Sequence, residues 1–493
     1  MKKNLLGVFL LVFCLTIAEA QETRQIEIES AKETRHEITI NGKRVPYKAT
    51  AGTMPVWDDE GKPIASLFYT YYERTDISDK ANRPLVISFN GGPGSASLWM
   101  HLAYTGPYKL NIDDEGYPLQ PYGYSENPHS ILDVADIVFV DPVNTGYSRI
   151  VNKDTPRSTF FGINSDIRYL SDWVNTFVTR QNRWASPKYL IGESYGTTRV
   201  AGMVSQLQNS HWMYFNGVIL VSPTPMGLDR SGPLGGANYL PYYAATAWYH
   251  KVLPADLQAR DLDDILPEVE AYTIDIVLPA MAKGGSIDPA KRIEIAKKMA
   301  YYSGLSEKVI LEHNLAVPTN FFWKELLRDQ GLTIGRLDSR YKGIDKAGTG
   351  ARPDFDPALT AWNHAFAPAF NLYARNVLNY KTDLTYNLFG PVNPWDRSNE
   401  NTAEQLANAM RQNPYLHVMT QSGYYDGGTD YFNAKFNMWQ MDQNGSLKDR
   451  LSFKAYRSGH MMYLRAEDLK TSNDDIREFI KNTLPGKDVP AKY

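Results

Sequence analysis

Four short apolar runs constrain the fold of this chain more than any other feature. Pro84–Phe89 (PLVISF), Ala135–Pro142 (ADIVFVDP), Lys188–Gly192 (KYLIG) and a run from Gly217 (GVILVSP) are apolar nearly throughout, without the alternation of a half-exposed strand. Runs this short read as strands buried on both faces. Between them lie helical patterns: Ile167, Leu170, Val174, Phe177 and Val178 share one helix face, and a further helix is predicted over Thr197–Leu207. Strands alternating with helices give a mainly parallel α/β sheet. Ahead of them, EITINGKRVPYKA carries an Asn-Gly turn between alternating apolar positions. MPVWDDEGKPIASLFYTYY repeats the device around Asp58–Lys62, so antiparallel hairpins are expected at the front edge of the sheet.

The pattern changes near Ala237. From there to about Asn379 the chain reads as aromatic-rich helices, one of them starting at Asp288-Pro289, where an N-cap is followed by proline in the first turn. RLDSRYKGIDKAGTGARPDFDP reads as a long loop. Strand signals return at Tyr415–Gly423 (YLHVMTQSG) and Leu451–Tyr456 (LSFKAY). The expected organisation is one α/β core, 21–236 and 380–493, interrupted by a helical insert, 237–379. With 493 residues, 43% of them hydrophobic, the chain can bury a large core.

Residues 1–20 read as a cleavable export signal. Lys2 and Lys3 precede the apolar run Leu5–Ala18, which ends at the small-residue site Ala18-Glu19-Ala20. The single cysteine, Cys14, lies inside it, in a poor lipoprotein box (LVFC), so the mature protein is expected to have no disulfide framework. The signal is too short for a comfortable membrane span, and no later segment is long and apolar enough. A periplasmic or extracellular protein without an integral membrane segment is expected. The formal net charge of −3, with no lysine/arginine block, argues against a nucleic-acid partner.

The first buried strand runs straight into Asn90–Ser97, NGGPGSAS. Glycine permits positive φ and close approach, so such a turn can bring backbone N–H groups to an anion, either a phosphate or the oxyanion of acyl transfer. No Gly-Lys-Ser/Thr follows and no helix N-terminus is expected there, which argues against phosphate. Gly192-Glu193-Ser194-Tyr195-Gly196 then places a serine between a buried strand and a helix, flanked by the glycines that a sharp, exposing turn needs. A serine nucleophile needs a base, and the base needs an orienting group. In hydrolases of this shape the acid and then the histidine follow the serine. His460, beyond the last strand in YRSGHMMYL, is the expected base. His417, in a strand, and His364, in an aromatic helix, read as buried structural residues, while His101 and His129 precede the nucleophile. The acid is expected in QSGYYDGGTDYF, as Asp426 or Asp430, one of them being a solvated turn aspartate. The N–H of Gly92, with that of Tyr195, can form an oxyanion hole. HExxH, clustered Cys/His and calcium-loop patterns are absent, so neither a metal nor a cofactor is implied.

In order and spacing, NGGPGSAS, DPVNTGYS, GESYG, SGYYD and SGHMM together resemble the serine carboxypeptidases (peptidase family S10), a helical-insert branch of the α/β-hydrolases. The resemblance covers most of the mature chain. It implies an α/β-hydrolase fold with a helical cap insertion, and removal of C-terminal residues from peptides through an acyl-enzyme. It also implies Ser194 as nucleophile, His460 as base and acid, Asp426 as orienter, and Gly92 and Tyr195 as oxyanion donors. Asn90 and Glu193 match the positions that hold the substrate's terminal carboxylate. The sequence departs from the family pattern at Ser88, where many relatives have tryptophan, at Tyr104, where a second glutamate is frequent, and at Ser95, where cysteine is frequent. An esterase or acyltransferase acting on a small acyl substrate is the alternative on the same scaffold, and an inactive exported binding module the alternative outside it.

Overall fold

The computed structural model describes residues 24–398, 400–486, 489–490 and 492; the expected signal at 1–20, with Cys14, lies outside them. Nine strands form the body of the central sheet: β1 (Ser30–Ile40), β2 (Lys43–Trp57), β3 (Pro63–Arg74), β4 (Leu85–Phe89), β5 (Asp136–Val140), β6 (Lys188–Glu193), β7 (Gly217–Val221), β8 (His417–Gly423) and β9 (Leu451–Tyr456). Their order is β1-β2-β3-β5-β4-β6-β7-β8-β9, and a two-residue strand, Arg149–Ile150, pairs with β3. The β1–β2, β2–β3 and β3–β5 pairs are antiparallel; every pair from β5 to β9 is parallel. The β1–β2 hairpin turns on Asn41 (φ 49°) and Gly42 (φ 76°), two successive residues with positive φ, as an Asn-Gly turn of this length requires.

The reason for the apolar runs lies in the two faces of the sheet. Val86, Ile137, Tyr189, Ile191, Ile219, Val221 and Met419 enter one hydrophobic core, and their chain neighbours Leu85, Ile87, Val138, Leu190, Val218, Leu220 and Val418 enter another. Each fully buried aliphatic side chain contributes roughly 1.5–3 kcal/mol. The first core is closed by α1 (Leu98–Ala103), α8 (Pro357–Asn376) and α11 (Ala466–Thr483). The second is closed by α2 (Ile163–Arg180), α3 (Tyr195–Ser210) and α9 (Thr402–Gln412). Ile167, Leu170, Val174, Phe177 and Val178 of α2 are all buried.

Between β7 and β8 the chain is mainly helical. It includes α4 (Leu240–Tyr249), α5 (Leu262–Tyr272), α6 (Pro289–Ser303), α7 (Thr319–Glu325) and α8, and from Ala237 to Ile334 it has its own core around Tyr242, Tyr243 and Phe322. Asp288 caps α6 by accepting from the Lys291 N–H at 2.9 Å. This is an α/β-hydrolase architecture with a helical insertion. Among the described residues, no helix is long and apolar enough to cross a membrane.

Three local expectations are corrected. A helix, α1, does follow the glycine turn; its six residues are all buried, so its first turn is packed rather than presented to a ligand. The stretch read as a long loop is not uniformly exposed. Thr333–Ile334 pairs with Lys342–Gly343, and Asp338, Ser339 and Arg340 are buried, with the Asp338 carboxylate bonded to the Arg340 guanidinium at 2.6 Å. His364 lies on the exposed side of α8, where its Nδ1 bonds to the Thr360 carbonyl at 2.7 Å, so it is not a buried histidine. His417 is half-buried and bonds to the Tyr415 carbonyl.

Candidate active site

The parallel strands β4, β6 and β8 end at Phe89, Glu193 and Gly423; Glu193 closes β6, Tyr195 opens α3, and the other nominated site residues lie in the connections just beyond the carboxyl ends of these strands and of β9. Ser194 occupies the turn between β6 and α3 with φ 58° and ψ −128°, a region that costs a non-glycine residue on the order of 1–3 kcal/mol. The flanking glycines answer a space requirement. A Cβ on Gly192 would lie 2.2 Å from the Gly196 carbonyl oxygen, and one on Gly196 would lie 2.7 Å from that of Phe89. The glycine turn after β4 packs against the same backbone: a Cβ on Gly91 would lie 2.4 Å from the Tyr195 nitrogen. Gly92, the next residue, has φ 104°, and the Tyr195 N–H is the first of α3 and precedes the helix's own hydrogen bonds.

His460 Nδ1 and Asp426 Oδ2 are 2.7 Å apart. Asp426 also accepts from the Gly428 N–H at 2.8 Å, the Thr429 N–H at 3.1 Å and the Thr429 hydroxyl at 2.7 Å. Burial pushes the Asp426 carboxyl up, but the His460 partner and these donors bring it below the usual range. Burial likewise disfavours the imidazolium, and the Asp426 charge and hydrogen bond more than offset it, holding His460 above its usual value. With Nδ1 directed at Asp426, Nε2 is the nitrogen left for the cleft. The ring's backbone is fixed on both sides: its N–H donates to the Leu337 carbonyl at 2.7 Å, and its carbonyl accepts from Ser222 Oγ at 2.7 Å. Asp430 is neither paired with His460 nor solvated. It is buried, caps α10 (Tyr431–Met441) through the Asn433 N–H at 2.9 Å, and is pushed up to about 6 by burial.

Glu193 is buried at the base of the Ser194 turn. Its Oε1 accepts from Asn90 Nδ2 at 2.8 Å and its Oε2 from the Tyr463 hydroxyl. Burial raises its pKa to about 7, with His460 and the two donors acting against that rise. Asn90 is locked in turn, its side-chain oxygen accepting from the Met100 N–H at 3.1 Å. The Asn90 carbonyl takes Arg199 Nη1 at 2.5 Å, and Arg199 Nε pairs with Asp166 at 2.7 Å. Gly91–Ser95, Glu193, Ser194, Thr429 and His460 all line a cleft of about 380 Å³, whose lining also includes Trp99, Arg336, Leu337, Trp362, Phe389 and Met461.

Comparison with known proteins finds similarity to serine carboxypeptidases. A family model described as serine carboxypeptidase matches residues 40–230. Serine carboxypeptidase S10 family member 1 of Dictyostelium discoideum is 32% identical over 133 residues, which is 27% of this chain and 29% of the relative. Serine carboxypeptidase-like 36 of Arabidopsis thaliana is 26% identical over 188 residues, 36% of this chain and 35% of the relative. The crystal structure of the prohormone-processing carboxypeptidase Kex1(delta)p from Saccharomyces cerevisiae superposes with a TM-score of 0.54 at 15% identity, over 89% of this chain and 92% of that one. Residues 40–230, which carry the glycine turn and the Ser194 turn, are similar to the serine carboxypeptidase family. The two aligned stretches span about a third of each curated relative's own length.

Within the serine carboxypeptidase pattern, the departures have visible consequences. Tyr104, at the place of a frequent second glutamate, is buried; it donates to Gln421 at 2.6 Å and stacks on Tyr463 at 4.5 Å. Ser95 accepts from Trp99 Nε1 at 2.7 Å, and the buried Ser88 hydroxyl has no partner among the described residues. Sequence reasoning missed Tyr463, Thr429, Ser222 and the Asp166–Arg199 pair. Tyr463 lies three residues after His460, where SGHMMYL could have nominated it. No sequence signal singled out the others.

Proposed function

We propose that this protein is an exported serine carboxypeptidase whose nucleophile is Ser194. The observation that carries the reading is the buried Glu193 carboxyl, held between Asn90 and Tyr463 immediately before the nucleophile and facing the same cleft. A triad alone would suit any acyl transfer; a proton-bearing carboxyl at that position suits a substrate that ends in a free carboxylate.

In this reading Ser194 Oγ attacks the last peptide carbonyl while His460 Nε2 takes its proton, and Asp426 keeps Nδ1 protonated and supports the imidazolium. The Gly92 and Tyr195 N–H groups receive the oxyanion. His460 then gives the proton to the departing amine, and a water attacking the acyl-enzyme repeats the sequence. Asn90 and protonated Glu193 hold the carboxylate of the departing residue. The helical insert, 237–379, acts as a cap that contributes Arg336, Leu337 and Trp362 to the cleft. The residues at 1–20 serve as the export signal.

Two measurements test the proposal. A fluorophosphonate probe should label wild-type protein and not Ser194→Ala. N-blocked dipeptides with a free C-terminus should be cleaved far faster than their C-terminal amides. Equal rates would favour the esterase or acyltransferase reading, and absence of labelling the inactive module.

A further inference from the structure

Among the described residues, Arg336 is the one lysine or arginine lining the cleft. It belongs to the segment between α7 and α8 and is anchored at its backbone. Its carbonyl accepts from the Gly427 N–H at 2.9 Å, and its own N–H donates to Asp356 Oδ1 at 3.2 Å. Its side chain lies over the loop that carries Asp426: a Cβ on Gly428 would come within 3.2 Å of Arg336 Nη1.

Asp356 pairs with this charge without a hydrogen bond to it. Its two oxygens accept the N–H groups of Arg336, Leu337 and Ala358 at 3.1–3.2 Å, as the cap of α8. The guanidinium nitrogen stands 3.8 Å away, beyond hydrogen-bonding distance, and 45% of the Arg336 side chain is exposed. A planar fork of donors is therefore held at the cleft wall with no bidentate partner among the described residues. Carboxylate is the group whose geometry matches that fork. The cleft lining also includes apolar and aromatic side chains, Trp99, Leu337, Trp362, Phe389 and Met461, beside the polar Ser95, Asn393 and Thr429.

We propose that Arg336 selects peptides bearing an acidic side chain at one of the two residues flanking the scissile bond. This deepens the carboxypeptidase reading and rests on peptides occupying the cleft.

The test is binding, so that it does not depend on turnover. The Ser194→Ala protein is titrated calorimetrically with N-acetyl Glu-Phe, Gln-Phe, Phe-Glu and Phe-Gln, each as free acid and as amide. One of the two Glu peptides should bind about fivefold or more tighter than its Gln counterpart, and which one identifies the flanking position. Adding Arg336→Met should bring that ratio to about one, and Arg336→Glu should make the matching Lys peptide the tighter ligand. Equal binding of Glu and Gln in both pairs, or a preference that survives Arg336→Met, overturns the proposal. Should Arg336→Met fail to fold, the Glu-to-Gln ratio of the Arg336 protein must fall with added salt, and a salt-independent ratio overturns it equally. The free-acid-to-amide ratio in the same titrations tests the carboxypeptidase reading separately.

Discussion

The Tyr463 hydroxyl donates to Glu193 Oε2, which joins the loop after His460 to the residue before Ser194. That bond works against burial, which has raised the Glu193 pKa to about 7. A substrate carboxylate meets attraction from protonated Glu193 and repulsion from the ionised form, so KM for free-acid peptides should climb above about pH 7. Past that limb, kcat/KM should fall by about tenfold per pH unit, while an ester without a terminal carboxylate escapes the fall. Tyr463→Phe removes a donor to the ionised form, so the Glu193 pKa rises and the limb moves to higher pH. Glu193→Gln should flatten it. A limb that stays in place in Tyr463→Phe would dissociate it from Glu193.

The two candidate acids separate by partner. Asp426→Asn removes the charge that orients His460 Nδ1, and kcat should drop by about 10³-fold or more with little change in melting temperature. Asp430→Asn keeps an N-cap acceptor for α10 and should leave kcat within about threefold, because its bonds run to Asn433 and not to His460. Asp430→Ala loses the cap and should cost about 1–2 kcal/mol of stability. Steady-state kinetics and thermal melts on the three variants check the ranking, and a large kcat loss in Asp430→Asn would reverse the assignment.

Much of this architecture is legible in the sequence because it rests on local rules. The apolar runs around Ile87, Val138, Leu190 and Ile219 are strands covered on both faces, and the glycines around Ser194 mark a turn where backbone meets backbone. What was not legible depends on partners distant in sequence. Asp166 and Arg199 sit on different helices 33 residues apart, each among apolar neighbours whose periodicity conceals a buried charge. The Arg336–Arg340 segment has the polar composition of a loop and is nevertheless packed under the loops of Asp426 and His460, since backbone bonds to Gly427, Tyr425 and His460 satisfy its polar groups. His364 shows the reverse error, an aromatic neighbourhood in sequence with the side chain on the outer face of the helix.

Gly91 should prove the least replaceable of the glycines in its turn, for reasons of space. An alanine Cβ there would meet three backbone atoms, Tyr195 N, Glu193 O and Gly196 N, at 2.4–2.6 Å, none of which can swing aside. Gly91→Ala should force the glycine turn and the Ser194 turn apart, lowering kcat by about 100-fold or more and destabilising the fold by roughly 1–3 kcal/mol. Gly285→Ala, with nothing within 4 Å, is the control and should behave as wild type. Near-normal turnover in Gly91→Ala would mean that the contact between the turns is not required.

The Asp166–Arg199 pair supports the glycine turn from beneath, and its two halves should fail differently. Both side chains are buried, and the guanidinium also holds the Asn90 carbonyl at 2.5 Å and that of Pro93 at 3.3 Å. Asp166→Asn strands a guanidinium that cannot shed its proton, so a loss of about 3–5 kcal/mol should be nearly independent of pH from 5 to 9. Arg199→Met instead leaves a carboxyl that can neutralise itself. Burial already pushes Asp166 upward, and without the opposing Arg199 charge its folded pKa rises further. Between the ordinary carboxylate value and that raised one, the folded state binds more protons than the unfolded state, so stability must fall as pH rises. Arg199→Met should therefore be tolerated best in acid and lose stability steadily toward neutral pH. In Arg199→Met the Asn90 carbonyl loses its brace outright, so KM for free-acid peptides should rise before kcat falls. Denaturant melts across pH, run beside KM measurements, read both effects. Parallel pH profiles for the two variants would show that Asp166 is not the titrating partner.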